Sequence, residues 1–175
     1  MAVGFKTRPL DRKVDWYFFD PDLLLPDTLR SQIMPLEREA ALAFWAEFVS
    51  AVPHERHPMA LPARHWLDNR DLRGPNWQPS WNNPSDQDPI ADFLQGRILW
   101  PDDAEVFFVW GHDYIVKTTW GIFLKAWRCF LFDDEGPFLI SLGRPEFVQF
   151  GPGGSLAIGH KPCRPHLIPT AGGET

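Results

Sequence analysis

Residues 105–110 read EVFFVW, with no polar side chain after the first position. A strand with one solvated face alternates apolar and polar residues, so a continuous apolar run reads as a strand buried on both faces. Gly111, His112 and Asp113 supply a turn, and residues 114–119 (YIVKTT) alternate as a returning partner strand does. Trp120, Phe123, Leu124, Trp127 and Leu131 then recur at i, i+3, i+4, i+7 and i+11, one apolar face of a helix. Thr119 stands where its hydroxyl would cap that helix. Asp133, Asp134, Glu135 and Gly136 carry turn chemistry. PFLISL, EFVQF and SLAIG follow as three short strands, the last two joined by GPGG. GPGG is read as a hairpin turn and not a phosphate loop, because it leads into a strand and not into a helix N-terminus.

The N-terminal half is read the same way. VDWYFF (14–19) is an aromatic strand candidate, and residues 20–35 leave room for a turn and one short helix. A longer helix is expected from Pro35, with Ala41, Phe44, Trp45, Phe48, Val49 and Val52 on one face. Glu37 and Glu39 suit its first turn, and Pro53 closes it. Residues 51–90 hold seven prolines and lose periodicity, yet carry Trp66, Trp77 and Trp81. Disordered segments are poor in aromatics, so an ordered loop pinned by its tryptophans is expected. PIADFLQGRI (89–98) is a brief amphipathic helix, and the tail over 161–175 is expected to fray. The whole, residues 1–175, reads as a single α+β domain. Its sheet is mainly antiparallel, with N-terminal helices and one helix inserted between a hairpin and a three-stranded meander.

The formal charge is -6, without a Lys/Arg run, which argues against a nucleic-acid partner. No apolar run nears the ~18 residues a membrane helix needs, so no membrane partner is expected. The N-terminus lacks the apolar stretch of a signal peptide. Cys129 and Cys163 are too few for a disulfide framework and are read as free thiols of a cytoplasmic protein.

His54, His57 and His65 fall close together in HERHPMALPARH and could form a metal site. The spacing is loose, and Arg56 raises the local cost of a cation. Asp133, Asp134 and Glu135 lack the ligand spread of a calcium loop and read as a turn. Cys129 adjoins Arg128 but lies on a helix that is mostly buried, where cysteine acts as a small hydrophobe. Tryptophans 45, 110, 120 and 127 sit at core positions. Trp66, Trp77 and Trp81 sit where no periodicity assigns a face, and they are the expected contact surface.

TTWGIFLKAWRCFLFDDEGPFLI, followed by EFVQFGPGGSLAIGHKP, resembles the C-terminal part of the bacterial domain-of-unknown-function family numbered two-nine-four-seven. The N-terminal VDWYFFDPDLLLPDTLRSQIMPLEREAALAFW is similar in its order of elements, and the 51–90 segment stands outside the likeness. The resemblance implies a small α+β protein and carries over no catalytic residue or cofactor. The acidic, aromatic-rich form is also loosely like bacterial immunity proteins. The expectation is a non-catalytic protein-binding module, such as an inhibitor of a toxin, with no cofactor. The alternative is a metal-dependent enzyme built on His54, His57 and His65.

Overall fold

Residues 105–110 form most of a central strand of a seven-stranded antiparallel sheet. A computed structural model describes residues 4–162. Its strands are β1 (Met34–Pro35), β2 (Arg70–Arg73), β3 (Glu105–Gly111), β4 (Tyr114–Thr119), β5 (Phe138–Ile140), β6 (Glu146–Gly151) and β7 (Ser155–His160). They lie in the order β1-β4-β3-β5-β6-β7-β2. The α-helices are α1 (Asp27–Arg30), α2 (Arg38–Phe48), α3 (Gln78–Asn82), α4 (Pro89–Arg97) and α5 (Trp120–Phe130). The fold is α+β, and the hairpin, inserted helix and meander stand in the expected order.

The apolar run is continuous because both faces of the sheet are covered. Val106, Phe108 and Trp110 join one core with Phe123 and Trp127 of α5 and Ile90 and Leu94 of α4. Phe107 and Val109 point the other way, into a second core with Phe44 and Trp45 of α2 and Leu67. A period-2 strand serving two cores has no face left for a polar residue.

Three local readings change. Residues 16–19 form a 3-10 turn and not a strand. The Phe18 amide donates to the Asp15 carbonyl, and the Asp15 amide to the Asp11 carbonyl, so the backbone bonds locally instead of joining a ladder. Helix α2 starts at Arg38, since Pro35 belongs to β1 and the Leu36 amide donates to Ile115. It ends at Phe48, which leaves Val52 beyond it and 42% exposed. Thr119 occupies the N-cap of α5 without a side-chain bond. The carbonyls of Asp102 and Ala104 instead accept from the Gly121 and Trp120 amides.

The 51–90 segment is built from short pieces: two 3-10 turns at Pro58–Ala60 and Trp66–Asp68, then β2 and α3. Strand β2 pairs with β7 at the sheet edge, Leu72 opposite Ile158. Gly159 admits it: a Cβ there would lie 2.1 Å from the Asn69 carbonyl oxygen. Cys163 and most of the tail at 161–175 lie outside the described residues. Among the described residues no helix is long and apolar enough to cross a membrane.

Candidate functional site

The turn at residues 152–154 is the foundation of the site. Gly154 has φ +80, and a Cβ there would meet Asn76 Oδ1 at 2.0 Å, so glycine is required on both counts. Asn76 Nδ2 donates to the Gly153 carbonyl at 2.9 Å, and the Trp77 amide donates to the Gly154 carbonyl at 3.0 Å. Helix α3 is thereby seated on the β6–β7 connection. Its other side is clasped to α5: Trp81 Nε1 donates to the Arg128 carbonyl at 2.9 Å, and Arg128 Nε donates to the Ser80 carbonyl at 3.0 Å.

Between α3 and the chain leaving α5 lies an open pocket of ≈ 240 Å³. Trp77, Trp81 and Phe132 line it with rings, and Asp133 and Asp134 with carboxylates; Gln78, Asn82 and Leu131 complete it. Trp77 is 5% exposed, Trp81 half-buried, and Phe132 39% exposed. Phe132 is braced from behind by Tyr17, stacked with ring centroids 4.0 Å apart. Burial pushes the Asp133 carboxyl above the usual aspartate range, opposed by the Glu135 amide at 3.2 Å and reinforced by the Glu135 and Asp134 charges. Beyond the pocket, exposed Met59 approaches Gly136, and His57 Nε2 lies 3.5 Å from Glu135.

The structure thus brings two of the three loop tryptophans together and sets the third apart. Trp66 packs against the other core, its ring 5.7 Å from Phe138 and 5.3 Å from Phe147. There it borders a separate cavity of ≈ 280 Å³ with Phe48, Val49 and Ile140.

The histidines are not gathered. His65 Nδ1 accepts from the Leu67 amide at 3.1 Å, which leaves Nε2–H to donate to the Val49 carbonyl at 2.8 Å. His57 Nδ1 accepts from the Met59 amide at 3.2 Å, and His54 is exposed. Two of the three rings cap 3-10 turns, and among the described residues no three His, Cys, Asp or Glu side chains are placed to hold a metal ion. Burial pushes the Cys129 thiol up to about 11, so it is protonated at neutral pH.

A second polar constellation has no signature in the sequence. Asp15 is fully buried and accepts from Arg8 Nη1 and Nη2 at 2.7 and 3.0 Å and from the Asp11 amide at 2.8 Å. The Tyr114 hydroxyl donates to Asp15, and the Tyr17 hydroxyl to Tyr114. Burial pushes Asp15 up, but the bonds from Arg8, Asp11 and Tyr114 outweigh it and hold the carboxyl below its usual range. Burial pushes both phenols well above theirs. All groups are paired and none titrates near neutrality, so the cluster ties the N-terminal segment to β4. The adjoining groove of ≈ 650 Å³ contains Arg8, Arg12 and Arg30. Two of these guanidiniums are committed: Arg8 to Asp15, and Arg30 to Asp27 and the Phe18 and Leu25 carbonyls.

The sequence model of the family described as a protein of unknown function (DUF2947) matches residues 9–159, which includes the 51–90 segment. No curated protein and no solved structure matches the chain.

Proposed function

We propose that this chain, a member of the DUF2947 family, is a non-catalytic protein-binding module whose partner seats on the pocket of Trp77, Trp81 and Phe132. The observation that carries this reading is a convergence. Rings from two distant segments meet at the surface beside carboxylates, with exposed Met59 close by. Binding energy at protein interfaces concentrates on such aromatic anchors. The ionisable groups withdrawn from solvent argue against chemistry: Cys129, Tyr17 and Tyr114 are held protonated, and Asp15 is locked to Arg8. A net charge of -6 suits a basic partner. An immunity-type inhibitor that covers a basic toxin domain inside the cell is the form this reading takes.

The test is a purified complex with the native partner, studied by calorimetric titration. Trp81→Ala is expected to weaken it by about 30-fold, an ordinary loss for an anchoring ring. Trp66→Ala, on the opposite face, is expected to leave affinity unchanged. Equal affinity for wild type and a folded Trp81→Ala chain would remove the site from the interface.

A further inference from the structure

The pocket has a charge character that the binding role alone does not specify. Two of its lining residues are carboxylates and none is a cation. Among the described residues neither Asp133 nor Asp134 makes an ion pair. Arg128, whose carbonyl holds Trp81, is not among the lining residues: its guanidinium lies 4.9 Å from the Trp127 ring centroid, donates through Nε to Ser80 and has Nη1 3.7 Å from Asp88, while Nη2 is buried without a partner among the described residues. The acidic turn is therefore unneutralised on the side that meets Trp81 and Phe132. An indole face attracts a cation, and a carboxylate beside it adds a charge-assisted hydrogen bond.

We infer that the pocket is a receptor for one arginine side chain of the protein partner. The inference rests on the binding reading above. Size favours it, since ≈ 240 Å³ holds one long side chain and not a helix or strand. Shape favours arginine over lysine: a planar guanidinium stacks on a ring while its N–H fork meets a carboxylate, whereas an ammonium is a hydrated point charge. Asp133 fits the role because its half-buried carboxylate accepts from the Glu135 amide but makes no ion pair among the described residues.

The inference is testable on the full chain without the partner. N-acetyl-arginine amide is titrated while the indole N–H resonance of Trp81, assigned with Trp81→Phe, is followed. N-acetyl-citrulline amide, a neutral isostere, is the control. A saturable shift is expected with the arginine probe, with citrulline binding about tenfold more weakly. The Asp133→Asn/Asp134→Asn variant keeps side-chain shape and should erase the difference between probes. No saturable shift with arginine amide, equal binding of the two probes, or discrimination that survives in the double variant would each overturn the inference. In the native complex the two claims separate. If Trp81→Ala weakens the complex and the double asparagine variant does not, the arginine receptor is lost and the binding surface stands. If neither change matters, both are lost.

Discussion

Asp15 is the most buried charge described in the chain, and its cost is met by specific bonds. Removing one partner of a buried pair leaves the other unsatisfied, which typically costs 3–5 kcal/mol. Arg8 keeps 30% of its side chain exposed, so Asp15→Asn is expected near the low end, about 3 kcal/mol in urea unfolding. The acid limb follows from the direction of its shift. The folded carboxyl sits below its ordinary 3.8, so the stability it contributes is full above that value and is lost as pH falls through the lower folded value. Tyr17 and Tyr114, the only two tyrosines in the sequence, carry the alkaline limb. Their folded values lie above the ordinary 10.0, so their contribution is full below it and is lost as pH rises past it. Tyrosinate absorbance has no other source in this chain. It should be silent at pH 10 and appear only with unfolding, and half-titration at pH 10 in the folded protein would contradict the network. Asp133 has the opposite sign from Asp15. Because its folded carboxyl is raised and the proposed occupant needs it ionised, affinity for the partner should fall on acidification sooner than an aspartate of 3.8 allows.

Between elements, the turn at 152–154 and α3 stand or fall together. A methyl at Gly154 displaces Asn76, and with it the start of α3 and Trp77. Gly154→Ala is expected to weaken partner binding and to cost at least ~1 kcal/mol in thermal unfolding, from its positive φ alone. Chain 105–160 was legible because its signals are local. Strand β3 shows both cores in one run, and α5 shows its face in Trp120, Phe123, Leu124 and Trp127, with Leu131 at its C-cap. Residues 14–19 misled because their apolar letters suggest burial, whereas Val14 and Trp16 are each 56% exposed and Asp15 is the residue drawn inside. What decides that turn is Arg8 and Tyr114, which no periodicity records. Strand β2, RDLR, was invisible because an edge strand needs no apolar alternation and is protected by charge. The pocket was half legible. Trp77 and Trp81 stood out by lacking a pattern, but their meeting with Phe132 and Asp133 depends on how α3 docks on α5. The acidic turn, read from the sequence as punctuation only, lines the pocket through Asp133 and Asp134.

At the scale of the whole molecule, the sheet separates two surfaces that the sequence left undivided. One carries Trp66 beside α2, and the other carries the pocket between α3 and the acidic turn after α5. The proposed partner seats on the second. Hydrogen–deuterium exchange on the complex with the native partner reads this directly, since a covering partner slows exchange where it sits and leaves the far face unchanged. Protection is predicted over residues 77–83 and 131–136, with no change at 46–51 or 66–68. Protection on the Trp66 face, with α3 and the acidic turn exchanging as in the free protein, would contradict it.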